Sequence, residues 1–411
     1  MIREYLRHVA GFAPAAKFYL AGQFFYSIGQ TAVWVLRNLF FKEAGFSEDF
    51  IGQTLAVSSF GAVLVVLTMS RFMDRMRLRG FSVLGALALS AGLAGAALTG
   101  SKALVLASCF LSGIGSAQLE LGTAPFLARH SQPGERPFLF GVSTALSPLA
   151  GLLATLGIKG GTVAWSENLE TYRLLMLSAA ILTVLSVCAL VLMREAEPDR
   201  HVDPGKPFDW RTAARFFIPE AMIGLGAGLT IPFINLYFRN RFDRGAGEIG
   251  LYFTGAQALV MVAFLAAPLL ARRFGPVKTV VACQLSSIPF FFVLAVTTSL
   301  PVAVTAFLLR HACMNMVHPV GSHFAMEVVN PRERVRVNGL KQAANKTAWV
   351  VANAIGGWLI AHTKLVHDGF STTMFVTIGL YVVGSWLYWA FFSKVPAGQA
   401  PVPEAEPTAG T

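Results

Sequence analysis

A handful of charged and hydrogen-bonding side chains interrupt otherwise apolar runs, and their types suit proton and ion chemistry. In ALVLASCFLSGIGSAQLELGTAPFLA, 103–128, Ser112, Gly113, Ser116, Glu120 and Thr123 fall within about a 100° wedge of a helix with 3.6 residues per turn. Glu120 is the one acid among them. A carboxyl group on a poorly hydrated face can take up and release a proton, so Glu120 is the first proton-coupling candidate. As an ion-pair partner, its expected cation is Arg310. In LLRHACMNMVHPVGSHF, 308–324, His311, Asn315, His318 and Ser322 share a narrow face. His311 and His318 lie seven residues apart, about 10.5 Å of helix. That is too far to share one ion as an i,i+4 pair could, so hydrogen-bonding or proton-relay roles are expected and no metal site. In NGLKQAANKTAWVVANAIGG, 338–357, Asn338, Lys341, Asn345, Trp349, Asn353 and Gly356 line one broad face, with Lys346 beside it. Arg37, Gln23, Tyr26, Trp34 and Gln257 are further candidates for lining a pocket.

These residues need elements that hold them away from lipid. The chain of 411 residues is 55% hydrophobic and 13% charged, with a mean hydropathy of +0.58. A soluble protein carries about 25% charged residues. A bilayer core about 30 Å thick takes about 20 apolar residues per helix, and about twelve runs of that length follow one another between 17 and 393. The expectation is an all-α membrane protein. A charge at the centre of a span costs roughly 2.5–3.5 kcal/mol, so the deep charges must face a cavity or each other. They fall in spans one (Arg37), four (Glu120), ten (Arg310) and eleven (Lys341 and Lys346). The balance is positive, and a focused positive potential favours an anionic or zwitterionic solute. The expected solute-binding residues are Arg310, His311, Asn315, Lys346, Asn345, Trp349, Asn353, Arg37 and Gln23.

The net charge of +11 is scattered through short loops, as topology signals are, so nucleic acid is not expected as a partner. Lys and Arg gather on the side of the termini, which places both ends in the cytoplasm. Cys109, Cys188, Cys283 and Cys313 all sit inside apolar runs and form no disulfide or metal pattern. No GxxxxGK[ST] loop signals ATP. No nucleophile accompanies the histidines and Glu120, so the chain is not expected to be an enzyme, nor to need a cofactor.

The halves repeat at a shift of about 198 residues. NLFF at 38–41 meets NLYF at 235–238, and Ile51-Gly52 meets Ile249-Gly250. DRMR at 74–77 meets RRFG at 272–275, and GERPFLFG at 134–141 meets RERVRVNG at 332–339. At this shift His318 falls opposite Glu120, which makes it the second proton-coupling candidate. Asn38 and Asn235 recur near the outer ends of spans one and seven, where they could cap helices or close a gate. The polar segment 194–211 divides the chain into a bundle at 1–193 and a second at 212–395. The Pro/Ala/Glu-rich tail at 396–411 is expected to be disordered.

SRFMDRMRLRG, 70–80, resembles the loop between spans two and three of the major facilitator superfamily, Gly-x-x-x-Asp-Arg-x-Gly-Arg-Arg/Lys. Asp74 and Arg75 match, Arg79 keeps a basic end, and Ser70 and Arg77 replace the glycines. The second copy, PLLARRFGPVK at 268–278, keeps Arg273, Gly275 and Lys278 but has Arg272 in the aspartate's place. The resemblance implies twelve transmembrane helices in two pseudo-symmetric six-helix bundles. It also implies that spans one, four, seven and ten line a central cavity bordered by eleven. Asp74, Arg75, Arg79 and Arg273 would form a cytoplasmic latch. The drug-antiporter patterns of spans four and five are largely missing, with CFLSG at 109–113 and Ser147-Pro148-x-x-Gly151-Leu152 in their places. The implied protein is a secondary active transporter of the bacterial inner membrane. It would be a monomer that carries a small solute by alternating access, coupled to protons. The alternative is a drug or metabolite exporter with an apolar, promiscuous pocket.

Overall fold

The computed structural model describes residues 11–69, 77–130, 136–192, 210–328 and 334–394. Most of the dividing segment and the whole tail at 396–411 lie outside these. Among the described residues, six helices form the first half: α1 (Pro14–Glu43), α2 (Glu48–Met69), α3 (Leu78–Leu98), α4 (Lys102–Arg129), α5 (Arg136–Trp165) and α6 (Leu169–Leu192). The second half opens with α7 (Trp210–Thr230), a 3-10 turn (Ile231–Phe233) and α8 (Ile234–Phe242), which together make the seventh span. It continues with α9 (Ala246–Phe274), α10 (Pro276–Val296), α11 (Leu300–Val328), α12 (Arg334–His362) and α13 (Gly369–Phe392). The seventh span was expected to be one helix. It breaks at Pro232, which has no N–H to give a helical ladder.

Turns between helices are short and chemically defined. Pro14 and Pro276 stand in the first turns of α1 and α10, where a missing N–H costs nothing. Asn168 and Asp368 cap α6 and α13 by accepting from Thr171 N and Ser371 N, each at 2.9 Å. Gly275 turns the chain at φ +83°, a conformation open to glycine.

Ten helices among the described residues are long and apolar enough to cross a membrane. α1 and α12 have the length, at 30 and 29 residues, but not the hydropathy. Both carry side chains that meet the opposite half. The halves join through α2 with α12 and through α5 with α9, two contacts that the repeat exchanges. The repeated Ile-Gly pairs sit at both. A Cβ on Gly52 would stand 2.8 Å from Gly357 Cα of α12, and one on Gly250 would stand 2.9 Å from Thr155 Cγ2 of α5. Thr155 Oγ1 also donates to Gly250 O at 3.3 Å. The repeat at these glycines is therefore the sequence trace of the surface on which the halves meet.

Candidate functional site

Glu120 lies on α4 about two turns from the end of the bundle that holds the termini, here called the terminal end. Lys346 lies near the middle of α12. Their side chains meet across the two halves, Lys346 Nζ to Glu120 Oε2 at 3.2 Å. They are 38% and 50% exposed, although they sit where the halves face one another. Water therefore reaches the pair between the halves. Around Glu120, Tyr19 Oη donates to Thr123 Oγ1 at 2.8 Å, and Tyr26 is close enough to feel the carboxylate. Gln23 is tied to α5: its Nε2 donates to Ser143 O at 3.2 Å, and its Oε1 accepts from Ser143 Oγ at 2.8 Å.

The expected partner of Glu120 is corrected here. Arg310 is 3% exposed and turns toward α10 and α13, away from the other half. Its Nη2 donates to Tyr381 Oη at 2.7 Å, and its guanidinium lies 4.5 Å from the centre of the Phe291 ring. Its Nε is buried and finds no hydrogen-bond partner among the described residues. The angular position of a residue on α11 decides this, and depth alone does not. His311 lies 5.7 Å from the Phe307 ring of its own helix, and Asn315 Nδ2 donates to that helix at His311 O, 2.8 Å.

Sequence reasoning missed Glu220, an acid ten residues into α7. Lys341 Nζ lies 3.4 Å from its Oε2, and Asn345 Nδ2 donates to its Oε1 at 3.4 Å. His318 is near enough to sense both Glu220 and Lys341. The signal was present, since WRTAARFFIPEAMIGLGAGLT carries one acid inside its apolar run.

At the opposite, distal end the halves are shut. Asn38 Nδ2 donates to Asn235 Oδ1 at 3.1 Å and to Pro232 O at 2.6 Å, the carbonyl beside the break in the seventh span. Asn235 Nδ2 donates back to Val35 O at 3.0 Å. The repeat-related asparagines thus form one buried clasp between the halves, and Asn235 Oδ1 also accepts from Leu236 N at 2.9 Å in the first turn of α8. Asn353 Nδ2 donates to Ser59 Oγ at 3.0 Å, and the rings of Trp34 and Trp349 meet edge to face, 6.5 Å apart. Together these residues tie α1 and α2 to α12 on the distal side of Lys346. Arg37 is on the same turn as Asn38, close to Cys109, and its Nε has no partner among the described residues. A rim of charge lies outside the clasp. Glu48 accepts from Lys42 and from Asn240 Nδ2, and Arg239 reaches Glu167 at 3.5 Å and Glu43 at 4.0 Å.

Of the latch residues, Asp74 and Arg75 lie outside the described residues. Arg79 is half-buried in the first turn of α3, and Arg273 is exposed at the end of α9, 5.3 Å from the Phe274 ring.

Solved structures of the same shape are transporters. The chain is similar to a variant of the nucleoside transporter NupG, with a TM-score of 0.76 at 14% identity over 92% of this chain and 100% of that one. It is similar to a bacterial homologue of the human lysosomal transporter Spinster in an inward-facing, occupied conformation, with a TM-score of 0.74 at 15% identity over 92% and 96%. It is also similar to a D-xylose–proton symporter, with a TM-score of 0.70 at 16% identity over 94% and 98%. At these identities the likeness establishes the fold. No curated protein matches the sequence. The family model described as Major Facilitator Superfamily matches residues 19–221 and again 216–410, once for each half of the fold, and so this multi-pass membrane protein belongs to the major facilitator superfamily.

Proposed function

We propose that the protein is a secondary active transporter of the bacterial inner membrane that carries a small anionic or zwitterionic solute by alternating access, with Glu120 as its proton-coupling carboxylate. The observation that carries this reading is the Lys346–Glu120 pair, which bridges the two halves where water reaches both side chains. The pair is electrically neutral. A negative group on the solute competes with Glu120 for Lys346, and a proton on Glu120 frees the lysine for it. Proton and solute binding are thereby linked. One pKa unit of difference between two states corresponds to about 1.4 kcal/mol, a tenfold bias on the conformational equilibrium. On this reading the cavity opens toward the terminal end; with the termini in the cytoplasm and the distal end closed, the conformation is inward-facing, and the working unit is a monomer. Arg310, paired inside its own half, is left out of the solute site. Lys346, Trp349, Asn345 and Gln23 are its proposed lining.

The test begins with purified protein and a thermal-shift screen of a solute library. Flux of each stabilising solute is then measured in liposomes with and without a pH gradient. Glu120→Gln should retain solute exchange and lose accumulation driven by the pH gradient. Accumulation by the mutant under a pH gradient alone would show that Glu120 is not the coupling site. The aromatic pair of Trp34 and Trp349 favours a second reading, an exporter that holds apolar solutes by ring contacts. In that case Lys346→Gln leaves affinity unchanged, whereas an anionic solute loses about tenfold or more.

A further inference from the structure

α12 carries its two lysines to two different carboxylates. Lys346 crosses to Glu120 in the opposite half, while Lys341 stays within its own half on Glu220. Asn345 donates to the second oxygen of the same Glu220 carboxylate. Lys341 and Asn345 are four residues apart and share a face, and Lys346 points about 100° round from Asn345. Glu220 therefore grips α12 at two points one turn apart. Such a grip holds the rotation of the helix about its axis, and that rotation decides whether Lys346 aims across the cavity. The grip is not needed to join the two helices. α7 and α12 already pack closely, with Gly228 Cα facing Ala352 and Trp349 so tightly that a Cβ there would stand 2.7 Å from Ala352 Cβ. Nor is it sealed from water, since Lys341 and Glu220 are 20% and 25% exposed. Among the described residues, the groups that face Glu220 are Lys341 and Asn345 from α12, His318 from α11 and Tyr388 from α13.

We propose that Glu220 is a positioning residue of the coupling site: ionised, it keeps Lys346 aimed at Glu120, and on taking up a proton it lets α12 turn and Lys346 leave. The inference rests on the reading of Glu120 as the coupling carboxylate. It makes the cycle responsive to protons at two carboxylates, one in each half, joined by a single helix.

The full chain in lipid nanodiscs tests this without a known solute, because the proton is the probe. With Cys188 and Cys313 replaced by serine, spin labels are placed by Arg77→Cys and Phe274→Cys, at exposed positions on the terminal end of each half. The distance distribution is followed across the pH range in which carboxylates and histidine titrate. The wild type should show a pH-dependent shift in population. Removing the grip weakens the Lys346–Glu120 pair, so Glu120 accepts its proton at a lower proton concentration. The midpoint in Glu220→Gln should then move to higher pH by about half a unit, roughly threefold in proton concentration. Lys341→Gln, which removes the grip from the other helix, should move it the same way, and Glu220→Asp should leave it near the wild-type value. Unchanged midpoints in both Glu220→Gln and Lys341→Gln, with a pH response that Glu120→Gln abolishes, overturn the positioning role alone. A response that survives Glu120→Gln, or a wild type indifferent to pH, overturns the Glu120 reading and the positioning role with it.

Discussion

Lys346 and Glu120 are both partly in water, and water limits what their attraction contributes. Exposed ion pairs contribute about 0–1 kcal/mol, so this one is a weak tie between the halves, suited to breaking in each cycle. In a double-mutant cycle of Glu120→Gln and Lys346→Gln, scored by the populations of the two conformations, we expect a coupling of about 0.5–1 kcal/mol. Arg310 is the opposite case. It is buried, and its polar support is the Tyr381 hydroxyl, with the Phe291 ring beside it. Tyr381→Phe strips the charge of that hydrogen bond and should cost about 1–3 kcal/mol. Arg310→Met removes the charge together with its need for a partner and should cost less. Thermal unfolding of the two variants in detergent ranks them. The reverse order would mean that the guanidinium is needed for something beyond its place in the bundle.

At the scale of the element, the distal closure depends on two backbones in contact. A Cβ on Gly357 would stand 2.7 Å from both Gly52 Cα and Glu48 O, and neither is a side-chain end that can swing aside. Gly357→Ala should raise the closed state by about 1–3 kcal/mol, a shift of roughly 5–150-fold toward an open distal end. Labelling of Ser59→Cys from the distal side by a membrane-impermeant thiol reagent should speed up accordingly. The broken seventh span reaches the same closure by another route. Its 3-10 turn exposes Pro232 O, and Asn38 of the other half supplies the hydrogen bond. Asn38→Ala leaves that buried carbonyl without its side-chain donor at about 1–3 kcal/mol, and the same labelling assay should report it.

For the whole molecule, the distal end is closed in two layers of different chemistry. The inner layer is the buried, uncharged asparagine clasp, and the outer is the charged rim of Arg239 with Glu43 and Glu167 and of Glu48 with Lys42 and Asn240. Salt distinguishes them. The Debye length falls from about 10 Å at 0.1 M to about 3 Å at 1 M, which screens the rim and leaves the clasp untouched. High salt should therefore loosen distal closure in the wild type by less than about tenfold, as expected for exposed pairs. In Arg239→Gln the salt effect should shrink. A salt effect of unchanged size in that variant would move the rim's contribution to other charges.

What the sequence determined by itself is whatever follows from solvation along one dimension. Lipid cannot solvate backbone polar groups or charges, so apolar run length marks the spans, and deep charges mark the helices that face inward. Repeats left by the shared geometry of the halves, Asn38 with Asn235 and Gly52 with Gly250, mark their meeting surface. Those readings located Glu120 and Lys346. Only the tertiary structure decided the pairing. Arg310 is as deep as a cavity cation should be, yet its rotation on α11 sends it to Tyr381. Glu220 passed as one acid in a seventh span until α12 brought Lys341 and Asn345 to it. Depth is set by composition along the chain, whereas azimuth is set by how twelve spans pack. A charge interacts with what it faces, so the partners of these groups are properties of the assembled bundle.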